Sequence, residues 1–262
     1  MATDFRSCKL QAHRGVSYDC PENTMTAYRE AIVQGYDLVE LDPKFTADNQ
    51  CVLLHDKTLN RTARDKNGLP PTKEKLAISE ITYAEACEYE YGSWFDKKYT
   101  GEHIPTLREV LEFSLETGMP LKFDNVMQNF TDEQLGIFFD TVEECRALDN
   151  IGFTGSKLEY LDKVLDRFPD ATIHFDGLWN NESREHLTAR VKREKLFVWL
   201  RYDNKATSWN KFPPVTVESA ADVKKYACLG LWLLAEREEL ENAINLYHAD
   251  IVETNGSLKP VK

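Results

Sequence analysis

Residue types suited to metal and phosphate chemistry are concentrated in the first quarter of the chain. His13 and Arg14 follow one short apolar stretch, and Glu40 and Asp42 lie within a second. His55 ends a third. Carboxylates bind divalent cations, an arginine fork matches phosphate oxygens, and histidines exchange protons near neutral pH. Together these side chains predict chemistry on a phosphodiester.

Glu40 and Asp42 are two positions apart in a strand-like run, so their side chains point to one face. Two buried carboxylates side by side repel each other unless a cation lies between them. We therefore expect Glu40 and Asp42 to be metal ligands at the end of a strand. The alternative is a polar layer of salt bridges without a metal.

The histidines are informative as a pair. His13 and His55 on either side of a metal-bound phosphate would serve as acid and base, whereas a single histidine at a strand end is more often structural. Gly15 would allow a ligand to approach the backbone closely. Glu22 lies in Pro21–Thr24, a helix-start sequence, and a role in the site is its secondary interpretation.

Bulk composition excludes several classes of protein. The 262 residues carry a net charge of −12, which disfavours nucleic-acid and anionic membrane surfaces. The six cysteines are scattered without a close pair, which is typical of reduced thiols in the cytoplasm. Residues 1–9 have no apolar leader and no run approaches the length of a membrane span, so we expect a cytoplasmic protein.

Short apolar runs alternate with amphipathic segments along the chain, which predicts a single (β/α)8 barrel over residues 1–262. A doubly wound open sheet is the alternative, but no glycine-rich fingerprint follows the first strand. The predicted strands are Lys9–His13, Leu38–Lys44, Leu121–Val126, Ile151–Thr154, Thr172–Phe175, Leu196–Tyr202, Leu229–Leu234 and Asp250–Thr254.

Two regions interrupt the alternation. The polar turn at residues 46–50 is too short for a parallel crossover, so the flanking runs should form an antiparallel hairpin that returns His55 to the vicinity of Asp42. Residues 57–104 show no long helix or clear strand. Because a structureless loop of that length is improbable, we interpret them as a small inserted subdomain over the barrel mouth.

The order of short motifs resembles the glycerophosphodiester phosphodiesterases. The resemblance is dense from His13 to Leu115 and thinner afterwards. The matching motifs are H-R-G at 13–15, P-E-N-T at 21–24, E-L-D at 40–42, L-L-H-D at 53–56, L-x-R-T at 59–62, G-S-W-F at 92–95 and G-E-x-I-P-T-L at 101–107.

The resemblance implies a (β/α)8 barrel with an insertion that hydrolyses glycerophosphodiesters to glycerol 3-phosphate and an alcohol. It also implies one divalent cation, Mg²⁺ or Ca²⁺, and a small-molecule substrate. His13 and His55 would be the acid–base pair, Glu40 and Asp42 metal ligands, and Arg14 a phosphate contact.

Two departures from the family pattern affect these expectations. The third strand usually carries Glu-x-Lys, whereas this chain has Lys122 and Asp124. Asp124 would then be the third metal ligand and Lys122 the phosphate-binding cation. Alternatively, Lys122 forms an ion pair with Asp124 or Glu40 in place of the metal. The last strand ends in Glu-Thr-Asn-Gly, where the family commonly has Thr-Asp.

Aromatic residues would line the pocket for the alcohol, or simply pack the barrel. The candidates are Trp94, Trp199 and Trp232, with Glu22 beside them. Three other functions stay open: a lyase that releases a cyclic phosphate, a hydrolase for another phosphodiester, and a catalytically silent phosphate-binding protein. The sequence does not indicate the oligomeric state.

Overall fold

Eight parallel strands close into a barrel in the order β1-β10-β9-β8-β7-β6-β5-β2, and β3 and β4 form a separate hairpin. The computed structural model describes residues 3–202 and 212–260. The barrel confirms the predicted fold class. The strands are β1 (Lys9–Ala12), β2 (Leu38–Leu41), β3 (Pro43–Phe45), β4 (Cys51–Leu53), β5 (Leu121–Phe123), β6 (Ile151–Gly155), β7 (Thr172–Phe175), β8 (Leu196–Arg201), β9 (Cys228–Trp232) and β10 (Ile251–Thr254).

Helices pack around the barrel, and most of them begin at a capping side chain. Thr24 and Thr106 accept hydrogen bonds from the first-turn amides of α1 and α3. Gly35 and Gly118 end the same helices in the left-handed conformation, as their positions predict. The helices are α1 (Met25–Gln34), α2 (Tyr83–Ala86), α3 (Leu107–Thr117), α4 (Asp132–Cys145), α5 (Leu158–Arg167), α6 (Asn181–Thr188), α7 (Val217–Tyr226) and α8 (Arg237–Asn245).

The hairpin forms where the short polar turn predicts it. Pro43 pairs with Leu53 in antiparallel register, and the Leu54 amide donates to the Asp42 carbonyl at 2.8 Å. The predicted strand Leu38–Lys44 is wrong in one respect, because it is two strands. The barrel strand β2 stops at Leu41, and the chain leaves the barrel before Pro43, whose ring supplies no backbone donor.

The predicted strand Leu121–Val126 is too long. Strand β5 ends at Phe123, and a 3₁₀ helix begins at Asn125. The Asp124 carboxylate accepts a hydrogen bond from the Val126 amide at 3.1 Å and so caps this helix. Asp124 therefore lies in the turn that follows the strand rather than in the strand itself.

Residues 57–104 contain α2 and the 3₁₀ helices Ile78–Glu80 and Lys97–Tyr99. Their apolar side chains form a cluster apart from the main core and share it with two residues of the hairpin. The cluster comprises Val52, Leu54, Leu59, Ala63, Ile78, Ile81, Ala86, Tyr91 and Ile104. A separate apolar cluster of this kind is consistent with the proposal that 57–104 is a small subdomain attached to the barrel.

None of the helices within residues 3–202 and 212–260 has the length and apolar character that crossing a bilayer requires.

Candidate functional site

Three carboxylates meet at the carboxyl end of the barrel strands. Oxygen atoms of Glu40, Asp42 and Asp124 all lie within 4.8 Å of one another. Glu40 and Asp42 are 2% and 3% exposed. The structure thus brings together the predicted ligand set, and Asp124 joins it from the turn after β5. Hard oxygen donors at this spacing suit Mg²⁺ or Ca²⁺.

Electrostatics at this cluster favour a bound cation. Burial, followed by the charge of Asp42, raises the pKa of Glu40 well above its usual range. Burial and Asp42 also raise the pKa of Asp124. Burial opposes ionisation of Asp42 as well, but Arg14 and the other nearby basic side chains together outweigh burial and lower the pKa of that carboxyl. A divalent cation would relieve this repulsion, so the donor set fits the metal that the sequence predicts.

Arg14 connects the first strand to the carboxylates. Its backbone amide donates to Glu40 at 2.9 Å, and its Nε lies 3.5 Å from an Asp42 oxygen. The residue adopts the left-handed conformation, with φ 57°. Gly15 was expected to make room for a ligand. In the structure, the position that a side chain would occupy at Gly15 faces helix α1 instead. An added Cβ would lie 2.7 Å from the Ala27 side chain, so Gly15 allows α1 to pack closely.

The two candidate histidines are held by different partners. His13 Nδ1 lies 2.6 Å from the Asn255 side-chain oxygen, and its Nε2 lies 4.0 Å from Glu40. His55 Nδ1 lies 2.7 Å from Asp56. Each ring therefore has Nδ1 engaged by a neighbour, and neither Nε2 has a hydrogen bond among the described residues. Asn255 occupies the place where the family commonly has aspartate, so His13 faces an amide rather than a carboxylate.

Asn23 is a site residue that the sequence analysis placed only within the helix-start sequence Pro21–Thr24. Thr24 is the cap, and Asn23 turns inward with φ 54°. Its amide donates to Asp42 Oδ2 at 2.7 Å, while its oxygen accepts from the Tyr28 hydroxyl at 3.0 Å. Asn23 thus fixes the orientation of a candidate ligand. The signal available in the sequence was the Asn itself in the P-E-N-T turn, because Asn adopts positive φ more readily than most residues.

Glu22 and Trp94 lie at the edge of the site. Glu22 accepts from Arg14 at 3.2 Å and from two Arg61 nitrogens at 2.8 and 2.7 Å. Arg61 also donates to Asp56 at 2.7 Å, and its guanidinium lies 5.6 Å from the Trp94 ring centre. The sequence analysis noted Arg61 only within a motif. In the structure, Arg61 links the inserted segment to Glu22, before α1, and to Asp56, after the hairpin.

Lys122 pairs in register with Glu40 of the neighbouring strand and lines the same cavity as the carboxylate cluster. Its Nζ lies 3.3 Å from Glu253 Oε2 and 4.4 Å from the Trp199 ring centre. Burial alone would lower the pKa of Lys122, but Glu253 and the other nearby carboxylates together outweigh burial and raise that pKa. Neither Asp124 nor Glu40 is its ion-pair partner among the described residues. The sequence analysis did not identify Glu253 as this partner. Its place in the last strand, where the sequence departs from the family pattern, was the available signal.

Asp176 was also missed. It follows β7, and Asn125 donates to its Oδ2, while Oδ1 has no hydrogen-bond partner among the residues that the structure describes. Burial raises the pKa of Asp176 to about 6. Its position at the carboxyl end of a barrel strand is the signal that could have identified it.

A cavity of about 900 Å³ unites most of these residues at the barrel mouth. Trp199 and Trp232 line it, whereas Glu22 and Trp94 are not among its lining residues. The charged and histidine residues that line the cavity are His13, Arg14, Glu40, Asp42, His55, Lys122, Asp124, Asp176, Arg201 and Glu253.

Sequence comparison finds relatives over the first part of the chain. A glycerophosphodiester phosphodiesterase of Caldanaerobacter subterraneus subsp. tengcongensis is 39% identical over 101 residues, which is 38% of each chain. Human glycerophosphodiester phosphodiesterase 1 is 36% identical over 115 residues, which is 43% of this chain and 32% of that protein. The alignments thus span about two fifths or less of these relatives' length.

Solved structures share the fold over nearly the whole chain. An Oleispira antarctica phosphodiesterase, in complex with the product sn-glycerol-3-phosphate, superposes with a TM-score of 0.76 at 21% identity, covering 95% of this chain and 93% of that one. A putative glycerophosphoryl diester phosphodiesterase from Silicibacter pomeroyi gives 0.75 at 18% identity, covering 95% and 90%. At these identities the likeness shows the barrel fold.

The sequence profile of the glycerophosphoryl diester phosphodiesterase family matches residues 13–207, about three quarters of the chain. This span begins at His13 and includes every candidate ligand at the barrel mouth. The chain therefore belongs to the glycerophosphoryl diester phosphodiesterase family.

Proposed function

We propose that this protein hydrolyses glycerophosphodiesters to glycerol 3-phosphate and an alcohol. The observation that carries the proposal is one cavity lined by both candidate histidines, Arg14 and the three-carboxylate cluster. These groups supply anion binding, cation binding and proton exchange at a single place. The family match and the product named for the Oleispira structure support the same reaction.

Glu40, Asp42 and Asp124 would hold one divalent cation, Mg²⁺ or Ca²⁺. When bound, such an ion neutralises phosphate oxygens and stabilises the charge that develops at phosphorus. Asn23 holds Asp42 in place by a hydrogen bond of 2.7 Å. Arg14, whose guanidinium borders Asp42 and Glu22, would bind a phosphate oxygen on the side away from the carboxylates.

His13 and His55 are the proposed acid and base. One removes a proton from the nucleophile, and the other protonates the departing alkoxide. Asn255 and Asp56 each hold one Nδ1, which leaves Nε2 of both rings for these transfers. The nucleophile is either water or the 2-hydroxyl of the substrate, the latter giving a cyclic phosphate before hydrolysis.

The test is hydrolysis of glycerophosphoethanolamine followed by phosphorus NMR, with added Mg²⁺ or Ca²⁺ and with chelator. We expect a phosphate monoester as product, activity only with the divalent ion, and loss of activity in His13→Ala and His55→Ala. Activity that survives in both variants contradicts the acid–base pair. Exposed His103, which pairs with Glu109, provides the control His103→Ala.

The same experiment separates the other candidates. A persistent cyclic phosphate identifies a lyase. Hydrolysis of a sugar-linked diester but not of glycerophosphoethanolamine identifies a different substrate. Tight binding of the diester without any turnover and without metal binding identifies a silent relative. The retained pair of histidines favours hydrolysis, because phosphate binding alone does not require both of them.

The substrate is proposed to be a small molecule rather than a nucleic acid. The net charge of −12 repels polyanions, so the phosphate must be attracted by local groups such as Arg14. Six scattered free cysteines support a reducing compartment, and we place the protein in the cytoplasm on that ground.

A further inference from the structure

A second cavity adjoins the candidate site. It has a volume of about 340 Å³ and lies between the loop after β7, the end of β8 and the start of α7. We call it the side cavity. Four residues line both cavities, so the two cavities are adjacent at the barrel mouth. The shared residues are Asp176, Trp199, Arg201 and Trp232.

The side cavity differs chemically from the candidate site. Most of the residues that line it alone are apolar or aromatic, among them Leu178, Trp179, Leu200, Phe212, Pro213 and Val223. The candidate metal ligands and Arg14 line only the larger cavity. Leu178 and Phe212 are 53% and 40% exposed, so the apolar surface continues to the rim. Apolar surface exposed beside a polar cleft is a common sign of a binding site.

Polar groups at the back of the side cavity are already paired within the protein. Trp179 Nε1 donates to Asp222 at 3.2 Å, and Arg184 lies 3.5 Å from the same carboxylate. Ser219 accepts from the Thr216 amide at 2.9 Å. A polar ligand would therefore have to compete with these bonds, whereas an apolar ligand would leave them intact.

We propose that the side cavity binds an apolar substituent of the phosphodiester, so that the substrate is amphiphilic. This inference rests on the proposed function, which places the phosphate beside the carboxylate cluster. The apolar group belongs either to the alcohol or to an acyl chain on the glycerol half. Both sources present the same hydrocarbon to Leu178 and Leu200.

The first test measures binding and needs no turnover. Calorimetry compares ethyl phosphate with octyl phosphate in the same Mg²⁺-containing buffer. Each fully buried methylene contributes about 0.8 kcal/mol, or roughly four-fold in affinity, so partial burial of the octyl chain should give at least about ten-fold tighter binding. Leu200→Trp, which fills the cavity, should reduce this octyl-to-ethyl ratio to about one.

Two further variants guard against a folding defect. Leu178→Asp places a charge on an already exposed rim residue and should also lower the ratio. Val33→Asp changes a residue that is 67% exposed on α1, outside the cavity lining, and should leave the ratio unchanged. Equal affinities for ethyl and octyl phosphate overturn the proposal. A preference that persists in both Leu200→Trp and Leu178→Asp also overturns it.

Hydrolysis then identifies which half carries the apolar group. Glycerophospho-octanol and octanoyl lysophosphatidylcholine are compared with glycerophosphoethanolamine in the native protein and in Leu200→Trp. A selective fall in kcat/KM for one apolar diester assigns the side cavity to that half. If no diester is hydrolysed, the proposed function fails, whereas the binding of octyl phosphate still decides the occupant of the side cavity.

Discussion

Asp124 determines whether the cation site has three protein carboxylates. Asp124→Asn removes one charge but keeps the side-chain oxygen that accepts from Val126 and caps the following 3₁₀ helix. Loss of a residue that only supports a metal ligand lowers metal affinity by roughly ten- to hundred-fold. Because Asp124 is itself a candidate ligand, we expect Asp124→Asn to lower divalent-cation affinity by at least as much. Calorimetry with Mg²⁺ and Ca²⁺ measures this affinity.

The matched control for Asp124→Asn is Asp132→Asn. Asp132 is exposed and pairs only with Lys163 in the described contacts, so this change should leave the affinity unaltered. Equal affinity in native protein and Asp124→Asn would show that the cation is held without a carboxylate from the turn after β5.

Lys122 and Glu253 act as a buried pair whose members are 131 residues apart. Lys122→Met would leave Glu253 charged and buried, which costs about 3–5 kcal/mol of unfolding free energy. The double variant Lys122→Met/Glu253→Gln should recover most of this loss, because neither partner then carries an unpaired charge. Urea unfolding measures both effects.

A direct phosphate contact by Lys122 would give a different result. In that case the double variant would regain stability but still bind octyl or ethyl phosphate much more weakly than the native protein. Native-like phosphate affinity in the stable double variant would show that Lys122 only neutralises Glu253. A large loss of affinity would show that Lys122 also contacts the phosphate.

The hairpin element explains how distant parts of the sequence converge. A five-residue turn excludes a parallel crossover, so the return of His55 toward Asp42 could be predicted from residues 46–50 alone. The same reasoning failed at the end of β5. There, periodicity extended the strand through Asp124, whereas a side-chain cap had already started a 3₁₀ helix.

Contacts between distant strands were the least predictable part of the site. Asp176 follows β7 and Glu253 lies on β10, and both reach the interior only because the barrel closes. A single sequence gives the alternation of inward and outward positions along each strand. It does not give the pairs of side chains that face each other across the barrel.

Arg61 joins the inserted segment to the loop before α1 and to the end of the hairpin. Burial would raise the pKa of Asp56, but its hydrogen bonds with Arg61 and His55 outweigh this and lower it to about 2. Arg61 likewise lowers the pKa of Glu22 against the effect of burial. Arg61→Ala should cost about 1 kcal/mol at neutral pH, because Arg61 is partly exposed and solvent screens the pairs.

This cost should depend on pH in one direction. Carboxyls with a lowered folded pKa stabilise the protein above their unfolded pKa near 4, and lose that contribution as pH falls through the folded value. The stability difference between native protein and Arg61→Ala should thus shrink between about pH 5 and pH 2. A constant or growing difference in urea unfolding over this range would contradict the role of Arg61. Arg64→Ala, which removes a neighbouring arginine bonded to carbonyls, is the control.

At the scale of the whole molecule, the barrel brings many of its negative charges together at its mouth. Glu40, Asp42, Asp124, Asp176 and Glu253 line one cavity of a protein with a net charge of −12. Lys122 compensates Glu253, and Arg14 compensates part of Asp42. The remaining repulsion makes the free protein less stable than its packing alone would give, so stability should depend on divalent cations.

Thermal unfolding tests this dependence directly. At a divalent concentration of 100 times the dissociation constant, binding to the folded state alone adds about 2.7 kcal/mol. For a chain of 262 residues, this corresponds to a rise of about 5–10 °C in Tm. NaCl at equal ionic strength should produce a much smaller rise, since it only screens the charges. Asp42→Asn should lose most of the response to Mg²⁺ and Ca²⁺, and a native Tm equal in chelator and in divalent salt would refute a cation held by these carboxylates.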